Sequence, residues 1–292
     1  MSVETRERDS SPSLLPSYAK AVLGPLIPGG SDELPDHGLA LNGAEIEPER
    51  VAAYARVCGF GIRDAVPTTY PHILGFPLAM SLMTERSFPF ALLGLVHVAN
   101  RIEQRRPIEL TDRPDLCVWA ENLRPHRRGR QLDLVTEARL DGEVAWLEHS
   151  TYLRQEKTDG EGGSDQAQQR ESSDSLDDRG ESSAVWDVPG DIGRRYADVS
   201  GDRNPIHLHP LSARLFGFPR AIAHGMWMKA RAVAAFEGRI PDAHTAEVEF
   251  RSPLLIPGRA CLRSGRRDGG WAFALERSDG ERPHLTGSIA PL

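Results

Sequence analysis

The sequence predicts an α+β chain in which one unit occurs twice, and three observations carry that prediction. The halves echo each other at a nearly constant offset, both pass from helical to strand periodicity in the same order, and a polar segment divides them. Tyr54-Ala-Arg-Val-Cys-Gly-Phe60 matches Tyr196-Ala-Asp-Val-Ser-Gly-Asp202 at an offset of 142 (196 minus 54). Leu140-Asp141-Gly142-Glu143 matches Ser278-Asp279-Gly280-Glu281 at 138 (279 minus 141). Between these anchors, Tyr70-Pro71-His72-Ile73-Leu74 lines up with Phe218-Pro219-Arg220-Ala221-Ile222.

In each half a short polar–apolar helix carries the tyrosine, an irregular stretch follows, and a longer helix comes next. In the second half that helix is expected over 224–236, where Met226, Ala230, Val233 and Ala234 share one face and Gly238 supplies a stop. Gly75-Phe76-Pro77 stands in the first half where the second has His224-Gly225-Met226. Strands are expected over 93–102, 116–123, 132–140 and 144–153, then over 246–250, 259–264, 271–276 and 285–290. Asp279-Gly280 reads as the turn before the last strand. A helix followed by an antiparallel set of strands implies a sheet wrapped on the helix.

With 292 residues the chain is one large domain or two ordinary ones. Residues 156–184 hold acidic and small polar residues and almost nothing to bury, and read as a flexible linker between domains at 1–155 and 185–292. The longest uncharged apolar run, 88–99, is short and interrupted by Pro89, Gly94 and His97, so no membrane span is expected. The first residues carry charges of both signs and no apolar signal core, which points to a cytoplasmic protein. Three scattered cysteines, Cys58, Cys117 and Cys261, suit a reducing compartment and form no zinc-binding pair. A net charge of −7 argues against a nucleic-acid partner.

The chemistry concentrates between 196 and 226. Asp202, Asn204, Pro205 and His207 fall within six residues, and Gly225 stands at the expected helix start. Pro205 fixes its own φ and pushes Asn204 toward extended backbone, so this stretch is expected to be a rigid loop with Asp202 and His207 converging on one water. At Gly225 the free N–H groups and positive dipole end of a helix are open to a carbonyl. In the first half Phe60 replaces Asp202, Asn-Pro-x-His is absent, and the segment is shorter: Tyr54 to Pro71 is 17 residues against 23 from Tyr196 to Pro219. Other readings stay open on these residues alone. Asn204 can cap a following turn with His207 on the surface. Asp202, His207 and His209 can form a metal site, and Ser200, His207 and Asp202 a triad, although Ser200 lacks a nucleophile elbow. His224 reads as structural. Arginines 127, 128, 130, 194 and 195 suit either phosphates or solubility.

Tyr196-Ala-x-x-Ser-Gly-Asp202-x-Asn204-Pro205-Ile206-His207, followed by Phe216-Gly-Phe-Pro and Ile222-Ala-His224-Gly225-Met226, resembles the R-specific enoyl-CoA hydratase motif of the MaoC-like dehydratase family. The first half, notably Gly94-Leu-Val-His-Val-Ala-Asn-Arg101, is similar to the degenerate first domain of two-domain members. The resemblance implies a double hot dog with a degenerate first copy and a catalytic second copy. It implies hydration or dehydration of acyl thioesters, with Asp202 and His207 activating water, Asn204 orienting them and the Gly225 N–H receiving the enolate-like oxygen. It implies no cofactor or metal, acyl-CoA as substrate with an acyl carrier protein as alternative carrier, and a homodimer as one possible assembly. A non-catalytic thioester-binding subunit is the alternative of another class. Single-domain relatives carry a serine about where Val233 falls here.

Overall fold

The structure is a computed structural model of the chain and describes residues 4–23, 32–92, 94–156, 182–277 and 282–292. The first half runs β1 (Glu4–Arg8), α1 (Leu14–Leu23), β2 (His37–Leu41), α2 (Pro48–Cys58), α3 (Pro71–Met83), β3 (Leu95–Gln104), β4 (Asp115–His126), β5 (Gly129–Leu140) and β6 (Glu143–Gln155). The second runs β7 (Ser182–Val188), α4 (Ile192–Ser200), α5 (Pro205–Leu208), α6 (Pro210–Leu215), α7 (Gly225–Ala234), β8 (His244–Phe250), β9 (Gly258–Arg267), β10 (Gly270–Arg277) and β11 (Pro283–Pro291).

Among the described residues eleven strands form one sheet, ordered β1-β2-β4-β5-β6-β3-β8-β11-β10-β9-β7. The halves join at β3 and β8, which pair antiparallel from Ala99 opposite Glu249 to Gln104 opposite His244. Outward from that seam the order repeats: β6, β5, β4, β2 on one side and β11, β10, β9, β7 on the other. Each half therefore wraps one sheet around one helix, and the two wrapped sheets are continuous: a double hot dog. All eight strands expected from alternation are present. The edge strands β1 and β7 and the strand β2 inside β1 were not expected, and residues 182–184, placed with the linker, already belong to β7. Strand β2 is five residues long and buried throughout, so it shows no alternation. The rest of the linker stretch from 157 to 181, and the Asp279-Gly280 turn, lie outside the described residues.

The central helices are buried on nearly every side because the sheet curls around them. In α7, Trp227, Met228, Lys229 and Ala232 are buried along with the four residues of the expected face. In α3 the buried set includes Ile73, Phe76, Leu78, Met80 and Met83. Helix α3 also revises the sequence alignment. It begins at Pro71, a residue suited to a first turn, and continues through Pro77. Gly75-Phe76-Pro77 is thus mid-helix, and Pro71, not Gly75, is the counterpart of Gly225. From Tyr54 to Pro71 is 17 residues and from Tyr196 to Gly225 is 29, so the second half holds twelve extra residues before its central helix. Helices α5 and α6 occupy them.

A charged residue sits at the centre of this packing. Lys229, fully buried on α7, donates through Nζ to the carbonyls of Asn100 (3.3 Å) and Ala246 (2.9 Å) and to Asn100 Oδ1. Asn100 Nδ2 in turn donates to Glu148 Oε1 at 2.7 Å and Ser150 Oγ at 2.9 Å, and Glu148 Oε2 meets His72 Nδ1 at 2.9 Å. This chain of bonds ties the second half's helix to β3, β6 and α3 of the first. Burial pushes Lys229 down to about 7, against the opposing pull of Glu148 and Glu247. A lysine in the unfolded chain titrates near ~10.4, so between about pH 7 and pH 10 the unfolded state binds the proton more tightly. Stability from this group therefore rises with pH across that window. Replacing Lys229 by Met should remove the slope, changing the pH dependence of urea unfolding between pH 7 and 8.5 by up to about 1.4 kcal/mol per pH unit. Parallel curves for the two proteins would reject the buried ammonium as its source.

Candidate active site

Helices α2 and α4 end alike. Gly59 and Gly201 close them in the left-handed region, at φ 81° and 78°, which glycine adopts without strain. The next residue is Phe60 in one half and Asp202 in the other, as the repeat alignment has it. After Asp202 the chain departs from the expected loop. Asn204 has φ −57° and ψ 125°, the extended geometry a following proline demands, but Pro205–Leu208 is a helical turn. Asn204 caps it, its side chain accepting the Ile206 N–H at 3.4 Å. The capping reading of Asn204 thus holds, while His207 is buried and not on the surface.

The turn aims His207 back toward Asp202. Its Nδ1 lies 2.8 Å from the Ile222 carbonyl, which can only accept, so Nδ1 carries the hydrogen and Nε2 the free lone pair. Ile222 is fixed by its own N–H bond to Ile206 O (3.1 Å) and by a bridge to Leu255. Burial lowers the His207 pKa, with Asp202 and the Ile222 bond pulling upward, so the ring is a neutral acceptor at pH 7.

Asp202 is held on every side. Its N–H donates to Ser200 Oγ at 3.1 Å, its carbonyl accepts from His224 Nε2 at 3.0 Å, and Oδ1 accepts the Asn204 N–H at 3.1 Å. Its side chain keeps 32% of its surface exposed, so the second carboxylate oxygen is reachable. Burial raises this carboxyl, but His224, His207 and the Asn204 N–H facing it outweigh burial and leave it below the usual aspartate value. Asp202, His207 and His224 each bring a side-chain atom within 4.8 Å of the others.

His224 is the N-cap of α7 and nearly fully buried. Its ring stacks on His207 with centroids 3.7 Å apart and leans on Tyr196 at 4.9 Å. Burial, then His207, push its pKa down to about 3. It is a neutral ring that donates through Nε2 to the Asp202 backbone. His209 takes no part: it is exposed and caps α6, its Nδ1 accepting the Leu211 N–H at 3.2 Å. One nitrogen of each stacked ring is already committed to a backbone carbonyl, His207 Nδ1 to Ile222 and His224 Nε2 to Asp202. Ser200 serves the turn through the Asp202 N–H. Of the arginines, Arg130 pairs with Glu156 at 2.9 Å and Arg194 donates to the Leu208 carbonyl at 3.2 Å.

Gly225 is the first residue of α7, and no side chain caps that helix start. A Cβ there would meet the Phe250 ring at 3.1–3.3 Å. Phe250 in turn tilts on His97, which stacks on Tyr152 at 4.6 Å. These aromatic neighbours come from β8, β3 and β6 and were not read from the sequence, because only strand pairing across the seam brings them to the helix start. Tyr18 on α1 was also missed. A groove of about 730 Å³, lined by Arg101, Glu247, Arg251, Arg267 and Trp271, contains none of the motif residues.

Residues 183–264 match the MaoC-like domain family. The chain is 41% identical over 285 residues to 3-hydroxyacyl-thioester dehydratase X of Mycobacterium tuberculosis, covering 97% of this chain and all of that protein. A crystal structure of that protein, HtdX, superposes with a TM-score of 0.76 over 88% of this chain and 100% of its own, at 41% identity. A 65-residue stretch is 37% identical to the mitochondrial 3-hydroxyacyl-[acyl-carrier-protein] dehydratase of Arabidopsis thaliana, covering 22% of this chain and 39% of that protein. A further Mycobacterium tuberculosis structure, described as a double hotdog fold, matches in fold alone at 12% identity, with a TM-score of 0.50 over 86% of this chain and 94% of its own. No helix among the described residues is long and apolar enough to cross a membrane. With a relative of this identity aligned along almost its whole length, and both halves folded as one continuous pair of wrapped sheets, the chain belongs to the MaoC-like dehydratase family of hydro-lyases.

Proposed function

We propose that this protein adds water reversibly to trans-2-enoyl-CoA thioesters, giving (3R)-3-hydroxyacyl-CoA. Its similarity along nearly its whole length to a 3-hydroxyacyl-thioester dehydratase supports acyl thioesters as the substrate class. The observation that carries the finer reading is the meeting of the Asp202 carboxylate with a His207 ring whose Nδ1 is already committed to a carbonyl. The reacting water is held between the free Asp202 oxygen and His207 Nε2. As its oxygen bonds to C3, its proton passes to Nε2 and the double-bond electrons move to the thioester oxygen. The Gly225 N–H, at the positive end of α7, faces that developing charge. The proton then returns from Nε2 to C2, so both parts of the water end in the product. Asn204 orients the pair from two sides, through its N–H to Asp202 and its side chain at the start of the turn that carries His207. No metal or redox cofactor enters this scheme, because the thioester itself makes the C2 proton acidic.

The test is hydration of enoyl-CoA substrates of increasing chain length, beginning with crotonyl-CoA, with chiral analysis of the product. The expected product is the 3R alcohol. Binding without turnover at every length would instead indicate a non-catalytic thioester-binding subunit, and the 3S alcohol would overturn the assigned geometry. The similarity to an acyl-carrier-protein dehydratase favours a second reading, in which the carrier is a protein. Competition between CoA and carrier-protein forms of one acyl chain separates the two.

A further inference from the structure

Helix α1 belongs to neither wrapped sheet, yet one of its side chains reaches the catalytic loop of the opposite half. We propose that Tyr18 is a positioning residue for Asp202, clamping the peptide on both sides of the carboxylate with a single hydroxyl. The inference rests on the function proposed above. Tyr18 Oη donates to the Gly201 carbonyl at 2.7 Å and accepts the Arg203 N–H at 2.6 Å, 183 and 185 residues along the chain. The hydroxyl has one proton to give and lone pairs to receive, so both bonds form together.

Four other polar backbone groups around Asp202 are held from within the second half. The Gly201 N–H goes to Ala197, the Asp202 N–H to Ser200, the Asp202 carbonyl to His224 and the Asn204 N–H to Asp202 itself. Gly201 O and the Arg203 N–H both go to Tyr18. Leu14, one turn earlier on α1, packs where a Gly201 Cβ would lie, at 2.5 Å, with Phe76 of α3 behind it at 3.9 Å. The first half thus holds the second half's catalytic loop by packing and by hydrogen bonds at one point. Burial and then the nearby Asp202 charge keep the Tyr18 hydroxyl protonated, so it stays a donor through the working pH range. Since Asp202 follows a left-handed glycine and precedes the turn that bears His207, a small rotation of this loop would part the two side chains.

Tyr18→Phe tests this, because the ring and its packing remain while both hydrogen bonds are lost. The expected result is a kcat about tenfold to a hundredfold lower in enoyl-CoA hydration, with KM within about twofold, since misplacement of a reacting group costs rate more than binding. Amide exchange at Arg203 should quicken in the substrate-free variant, a readout independent of turnover. Unchanged kcat, or a rise in KM alone, would overturn the inference, as would unchanged exchange at Arg203. Asp202→Asn, run in parallel, separates the two levels. If it keeps the parent rate, the proposed function fails. If it is inactive while Tyr18→Phe matches the parent, only the role of Tyr18 fails.

Discussion

Asp202→Asn and His207→Ala should each lower turnover of an enoyl thioester by at least about a thousandfold, within the range that a positioned acid–base group contributes. The two changes remove different things. The Asp202→Asn variant keeps the shape of the side chain and an oxygen for the Asn204 N–H. It loses the negative charge that draws the water and supports a proton on His207. Its new amide hydrogens would also face His224, which already presents an N–H at Nε2. The His207→Ala variant loses the imidazole acceptor beside Asp202 and leaves the Ile222 carbonyl without its partner, at a cost of about 1–3 kcal/mol. Asp202→Asn should therefore melt close to the parent, and His207→Ala several degrees lower but still cooperatively. Circular dichroism and steady-state hydration check both points. Parent rates in the two variants would remove the basis of the proposed function.

Gly193→Ala should have the largest structural effect of any single methyl added near the site. Gly193 is buried in the first turn of α4, and its missing Cβ would lie 1.9 Å from the His207 carbonyl oxygen and 2.9 Å from its carbon. A carbon and an oxygen need more than about 3 Å, so backbone must move by over an ångström, and neither partner is a flexible side-chain end. Helix α4 ends at the Gly201–Asp202 corner, and the obstructed group is the backbone of His207 itself. The clash therefore pushes apart the two segments whose side chains must meet. We expect a loss of about 3 kcal/mol in urea unfolding, and a fall in kcat that persists where the variant is fully folded. Gly190→Ala serves as the comparison. Its Cβ would sit 3.2 Å from Pro257 Cδ, a contact that a small shift relieves. Equal effects in the two variants would mean that the His207 contact is not what matters at 193.

The difference between these two predictions reflects what a linear chain can reveal. Asp202, Asn204 and His207 lie within six residues, and Pro205 restricts the backbone among them, so their association was legible without coordinates. The local form was not. Proline suggested a loop, but it is equally at home in a first helical turn, and the Asn204 cap with the Ile222 carbonyl decides for the turn. Gly75-Phe76-Pro77, aligned with the start of the second half's central helix, instead lies inside α3. The short strands β1, β2 and β7 carried no period strong enough to detect.

Duplication, the wrapped helix and the eight alternating strands follow from period and repeat, which are properties of neighbours in sequence. Partnerships across more than a hundred residues do not. Tyr18 with Gly201 and Lys229 with Asn100 exist because the β3–β8 seam and the packed helices bring distant backbone together. Gly193 against the His207 carbonyl is nearer in sequence, but it too depends on how α4 and α5 pack. Which residues to propose for the chemistry could be read along the chain. What holds them in place, and which positions have no room for one more carbon, was decided by packing in three dimensions.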